Sequence, residues 1–265
     1  MYSEFVQKFL DYQTYGNPFK DLNPLSKLNL LLVLAFIPLV AQHTVFAFCL
    51  CIGYYVLAVY IGEFKYFNGI FTKVAITVLL FLLILRQLTV EGTTVLFSVF
   101  GWKWTLEAVL KALDLGGIIL GFSGAIILFY ASTPMRDLMY ALEQKGVSHT
   151  TSYIILASFQ TITDLNASVN TIFESQKARG IEVEGNILTR VKAFFPILSP
   201  LLLGAMSSAE EKSIAMDARA FSIDTNHSFL RELRPVPRWE KALVLGANVF
   251  FVAFCVFRLL QMFVF

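Results

Sequence analysis

The sequence predicts an all-α, polytopic membrane protein with about five transmembrane helices and a segment of about three amphipathic helices between the fourth and the fifth. Three observations lead there. The chain of 265 residues is 57% hydrophobic and 15% charged, with a mean hydropathy of +0.66, too apolar for an ordinary water-soluble domain. Its apolar runs approach the roughly 20 residues that cross a bilayer. Between the fourth and fifth runs the character changes, and that stretch carries more than half of the 21 lysines and arginines. The division expected is a membrane part over 1–132, an amphipathic part over 133–237 and a final span over 238–265.

Residues 1–27 mix Glu4, Lys8, Asp11, Lys20 and Lys27 with aromatics. They lack the basic-then-apolar layout of a cleaved signal peptide and are expected to lie at the membrane surface. The apolar run 28–61 is nearly twice a span, so it must fold back, and Pro38 with Gln42-His43-Thr44 supplies the break. Spans are therefore expected at 25–40 and 43–61, with a third at 69–88 and a loop carrying Glu63, Lys65 and Lys73 before it. A weaker stretch, 90–104, places Trp102 and Trp104 at headgroup level. The fourth span, 106–131, contains Gly116, Gly117, Gly121 and Gly124, and the Gly117-x-x-x-Gly121 spacing admits a close helix neighbour. The fifth, 242–265, follows Trp239.

In the intervening segment a short helix, 134–145, starts at Pro134 and stops at Gly146. A second, 150–178, has an apolar stripe at Ile155, Phe159, Ile162, Leu165, Val169 and Ile172, stepping by three and four. A third, 186–220, holds the uncharged run 193–209, interrupted by Pro196 and Pro200. That run reads as a buried or interfacial helix, with a sixth span as the alternative. Basic residues (Lys177, Arg179, Arg190, Lys192, Arg231, Arg234, Arg238, Lys241) crowd this segment, so the positive-inside rule makes it cytoplasmic. The N-terminus is then inside and Phe265 outside.

The chemistry-bearing patterns are mostly missing. No Gly-x-x-x-x-Gly-Lys-Ser/Thr loop is present, so the chain is not its own Walker-type ATPase, and no Gly-x-Ser-x-Gly or His-Glu-x-x-His signals hydrolysis. His43, His149 and His227 have no metal-ligand spacing, and Cys49, Cys51 and Cys255 sit in apolar runs as small hydrophobes. A net charge of +2 gives no support to nucleic-acid binding. Acids within the spans are nearly absent, which argues against a proton-coupled carrier. Asp114 is expected to open the fourth span as a dipole partner, and Arg86 and Arg258 to snorkel at outer ends.

What stands out is a repeated tripeptide. Ala178-Arg179-Gly180 and Ala218-Arg219-Ala220 each close a long amphipathic helix, 40 residues apart. An arginine at a helix C-terminus is favoured by the dipole alone. Two of them, each flanked by small residues that let a surface approach, suggest instead a pair of guanidinium forks offered to partners.

These residues resemble the transmembrane T component of energy-coupling factor (ECF) transporters, a branch of the ATP-binding-cassette importers for vitamins and metals. Asn23-Pro24-x-x-Lys27-Leu28 is similar to the motif that opens that family's first span. Thr133-Pro134 leading to Leu138 and Ala141-Leu142 is similar to the motif after its fourth. The two arginine triplets match its paired Ala-Arg-Gly motifs, with Ala220 standing where glycine is usual. The resemblance implies a non-catalytic scaffold that joins two ABC-type ATPase subunits to a small substrate-binding membrane S component in the cell membrane. Ala178, Arg179, Gly180, Ala218, Arg219 and Ala220 would dock the ATPases. The partner ATPases would hold ATP and Mg, with no cofactor on this chain. The S component would ride on Ile155, Phe159, Ile162, Phe194, Phe195, Leu198 and Leu202. A self-contained secondary transporter or channel is the alternative reading.

Overall fold

The computed structural model describes residues 16–90, 94–99, 102–180, 186–221, 223 and 236–264. Most of the expected surface lead-in, together with Arg231, Arg234 and Phe265, lies outside the described residues. Eight helices and one hairpin are described: α1 (Pro24–Ala41), α2 (Thr44–Ile61), α3 (Phe64–Thr89), β1 (Val95–Val99), β2 (Trp102–Thr105), α4 (Leu106–Ser132), α5 (Met135–Glu143), α6 (His149–Ala178), α7 (Ile187–Ala218) and α8 (Arg238–Val264). Among the described residues five helices, α1 to α4 and α8, are long and apolar enough to cross a membrane. The chain divides into two compact units, residues 1–146 with 231–265, and residues 147–230.

Glycine makes α4 the centre of the first unit. A Cβ built on Gly117 would come within 3.0 Å of the Ala47 Cβ on α2, and one on Gly121 within 2.7 Å of the Pro38 Cγ on α1. One on Gly124 would lie 2.6 Å from the Tyr54 ring and 3.0 Å from the Phe71 ring, on α2 and α3. The small-residue stripe expected from Gly117-x-x-x-Gly121 therefore admits three neighbours at van der Waals distance. Tyr54, Ala58, Phe67, Phe71, Leu120 and Leu128 form the buried core around it.

Pro38 does not break the first span. The helix runs through it and turns at Gln42, whose φ of +48° is left-handed. Proline cannot donate to the carbonyl of Leu34 one turn back, and the Tyr54 hydroxyl on α2 donates to that oxygen at 3.3 Å instead. With the lost bond replaced, the helix has no need to end there. The third span also starts earlier than expected, at Phe64. Phe67 stacks on Phe71, with ring centroids 5.0 Å apart, and both face Tyr55. That packing draws Lys65 and Lys73 into the helix instead of a loop.

The weak stretch before α4 is an antiparallel hairpin, with Val99 opposite Trp102 and Val95 opposite Thr105. Its five- and four-residue strands are too short to leave a hydropathy signal. Asp114 is not at the start of α4, where Glu107 takes the first-turn position. It lies two turns in and accepts a hydrogen bond from Thr44 Oγ1 on α2.

The last span, α8, lies parallel to α1 and is tied to it at both ends. At the start of α1, the Asn23 N–H donates to Glu240 Oε1 at 3.0 Å. At its end, the Arg258 guanidinium donates to the carbonyl oxygens of Val40, at 3.2 Å, and Ala41. Both groups satisfy backbone atoms that a helix leaves open at its ends, and each has the sign that complements the dipole there. Arg258 thus does more than snorkel.

The two motifs that open the first span and follow the fourth meet at the same end of this unit. Asn23 caps α1, its Oδ1 accepting from Leu25 N–H at 3.0 Å. Lys27 is only 2% exposed, and its ammonium donates to the carbonyls of Lys20 at 2.7 Å and of Ser132, the last residue of α4, at 3.3 Å. Asp137, Asp21 and Glu240 supply the surrounding negative charge. One buried lysine thereby joins the loop before α1, the C-terminus of α4 and the neighbourhood of α5. The helix α5, grouped by sequence with the amphipathic segment, belongs by packing to this unit.

Candidate docking site on two helix ends

In the second unit α6 and α7 form an antiparallel pair. Contacts step evenly along it: Gln176 Nε2 donates to the Pro196 carbonyl at 3.2 Å, Lys212 lies 3.8 Å from Asp164, and Phe221 rests on His149 and Tyr153 at centroid distances of 5.1 and 5.0 Å. The first contact has a clear cause. Pro200 has no N–H to give the Pro196 carbonyl, and the nearly buried Gln176 supplies one from the other helix. This is how Pro200 sits inside a continuous 32-residue helix, which also runs through Pro196.

The arginine triplets take equivalent positions at the two ends of this pair. Arg179 is the C-cap of α6, and Gly180 follows with φ +84°. Its N–H donates to the Lys177 carbonyl at 3.0 Å. After α7, Arg219 is followed by Ala220 with φ +58°. The Ala220 N–H donates to Asp217 O at 3.0 Å and the Phe221 N–H to Met216 O at 3.1 Å. Those two bonds make a Schellman turn with Arg219 at the cap and Ala220 at the left-handed position. Alanine therefore adopts the geometry that glycine takes in the first triplet, at a steric cost of about 1–2 kcal/mol. Ala220→Gly is expected to stabilise this unit by about 1 kcal/mol, partly offset by the freer unfolded chain. Chemical denaturation of the full chain in detergent, read by helical circular dichroism, checks it, and an unchanged or lower midpoint would contradict it.

Ala178, Arg179, Gly180, Ala218, Arg219 and Ala220 are all exposed. Because the helices are antiparallel, the two guanidinium groups lie at opposite ends, roughly 40 Å apart at about 1.5 Å rise per residue. Neither triplet touches the other. Each ends its own helix, with the alanine leaving room around the cation.

The expected apolar contact residues distribute along the same pair. Phe159, Ile162, Phe194, Phe195 and Leu202 are exposed, Phe195 by 67% and Ile162 by 57%, while Ile155 and Leu198 are half-buried. Leu203, Met206 and Ile214 add to the exposed apolar surface on α7. The stripe of α6 is split: Leu165 and Ile172 line a cleft of about 490 Å³ against Leu201, Ala205 and Ala209 of α7, and Phe159 and Ile162 point outward. These side chains form an apolar surface that nothing among the described residues covers. Gln176 is absent from the sequence reading. Its signal was the pair of prolines four residues apart, which demands a donor from elsewhere.

Among the described residues no group of three or more His, Cys, Asp or Glu is arranged to hold a metal ion. What the two helix ends present is an exposed guanidinium each, a planar fork of hydrogen-bond donors.

Comparison with known proteins agrees with this architecture. The chain is 31% identical over 179 residues to the energy-coupling factor transporter transmembrane protein EcfT of Limosilactobacillus fermentum, covering 60% of this chain and 67% of that protein. The EcfT of Staphylococcus aureus is 29% identical over 165 residues, covering 59% of this chain and 62% of that protein. The EcfT of Brevibacillus brevis is 27% identical over 245 residues, covering 87% and 89%. Residues 16–228 match the family CbiQ, described as a cobalt transport protein. That match takes in α1 through α7 and both arginine triplets, and this five-span helical membrane protein belongs to the CbiQ family.

Proposed function

We propose that this chain is the energy-coupling scaffold of an ECF importer. Arg179 docks in a groove of one ABC-type ATPase subunit and Arg219 in a groove of the other. ATP and Mg belong to those partners. ATP binding draws the ATPases together, each carries its docked arginine inward, and α6 and α7 transmit the displacement as rigid rods. A small substrate-binding membrane S component rides on the exposed apolar faces that include Phe159, Ile162, Phe194, Phe195 and Leu202. Hydrolysis then resets the assembly.

The observation that carries this reading is the equivalence of the two triplets. Each arginine is the cap of a long helix, is exposed, precedes a left-handed residue, and lies at the opposite end of the pair from the other. A dipole complement would need one such cation and no particular turn after it. The relatives' printed name, an energy-coupling factor transporter transmembrane protein, supports the same role. Specificity for cargo resides in the S component, and we favour vitamins, with one scaffold shared among several. The second unit and the N-terminus face the cytoplasm, and the C-terminus faces outside.

Mild solubilisation followed by mass spectrometry tests the proposal. Two ABC-type ATPases and one small membrane protein are expected to accompany the chain. Vesicles holding this chain alone are expected to be inert, and solute uptake by such vesicles would overturn the scaffold reading.

A further inference from the structure

A second cleft, of about 520 Å³, opens in the first unit between the start of α1, the end of α5 and the start of α8. It is amphipathic. Two exposed lysines stand at it, Lys145 after α5 and Lys241 in the first turn of α8. Deeper polar groups come from Asn29 and Asn248, and Leu25, Val244 and Leu245 give it an apolar side.

The level of the cleft along the spans is marked by its neighbours. Trp239, half-exposed, precedes Lys241 on α8, and tryptophan in such a place marks the headgroup region. The nearby carboxylate of Glu240 is 2% exposed and turned to the Asn23 N–H, while both ammonium-bearing side chains stand exposed at the mouth. The N-termini of α1 and α8 add partial positive charge from the same side.

We propose that this cleft binds the headgroup of an anionic glycerophospholipid. Lys145 and Lys241 take the phosphate, and Leu25, Val244 and Leu245 meet the first carbons of the acyl chain. Basic pockets between spans suit anionic lipids for this reason. The apolar side favours a lipid over a free phosphate, which has nothing to place against leucine and valine. The bound lipid would bridge α1, α5 and α8.

Native mass spectrometry of the full chain in neutral detergent decides it, with phosphatidylglycerol and phosphatidylcholine of identical acyl chains as probes. Phosphatidylglycerol is expected to be retained as a one-to-one adduct at about tenfold lower concentration. The Lys145→Gln/Lys241→Gln variant should lose that preference. A Lys65→Gln/Lys73→Gln variant, which removes equal charge from exposed positions on α3, should keep it. Equal retention of the two lipids, or equal loss in both variants, would overturn the site in favour of bulk charge attraction. Displacement of the lipid by an equal concentration of glycerol phosphate would overturn the lipid assignment. All four lysines are exposed, so the variants should fold, and unchanged melting temperatures confirm that the adducts compare like with like.

Discussion

Arg179→Glu combined with Arg219→Glu is expected to strip both ATPases from the complex and abolish ATP-driven uptake while the chain still folds and inserts. Truncating one member of a desolvated, hydrogen-bonded charge pair costs about 2–5 kcal/mol, and every 1.4 kcal/mol is about tenfold in affinity. Each arginine lost should therefore weaken its ATPase contact by about 30-fold or more, and reversal of charge should add to that. Both side chains are exposed caps, so the folding penalty is limited to a carboxylate at a helix C-terminus, about 0.3–1 kcal/mol. Arg→Lys at either position should give an intermediate loss, because an ammonium has no planar fork to match a carboxylate. Copurification of the ATPases with each variant, alongside uptake in vesicles, is the measurement. A double variant that assembles and transports like the native chain would refute the role given to these arginines.

The second large effect is expected at Lys27. Lys27→Met keeps the volume and removes the charge. The carbonyls of Lys20 and Ser132 then lose their donor, and Asp137, Asp21 and Glu240 lose their compensating cation. Breaking a buried charge arrangement by deleting one member costs about 3–5 kcal/mol. The melting temperature of the full chain in detergent should fall by several degrees. An unchanged melting temperature would mean that Lys27 is not the joint between α1 and the end of α4. The outcome also separates fold from docking, because Arg179 and Arg219 are exposed and belong to the other unit, and their variants should lower this temperature far less.

How much of this was legible in the sequence depended on range. The five spans and the long helices α6 and α7 announced themselves through hydropathy and periodicity, which are local properties, and the ends of most helices fell within a few residues of expectation. The glycines of α4 were legible because their spacing alone implies a close neighbour. Less legible were the places where a distant side chain takes part. The first span was expected to run past Pro38 to residue 40 and does so, but the Tyr54 hydroxyl that replaces the missing donor comes from the next span. Ala220 looked like a departure from a glycine pattern, while its N–H makes the same hydrogen bond as that of Gly180, to the carbonyl three residues back. The hairpin at Val95–Thr105 was missed because strands of four and five residues are too short for a periodic signal. Glu240 and Arg258 lie more than 200 residues from the backbone atoms they satisfy, so no window along the chain could reveal them. The arginine triplets were visible as motifs, but their placement at opposite ends of one antiparallel pair required the fold.

The two ties between α1 and α8 also bear on biogenesis. Translation delivers α1 long before α8, so the amide of Asn23 and the carbonyls of Val40 and Ala41 wait for these partners until residues 217 and 218 positions further along have been made. A nascent chain halted before Arg238 would leave those backbone groups of the first span without the partners that α8 supplies. Closure of the first span at both ends is thus deferred to a helix made much later, and the α1–α8 pairing completes only then.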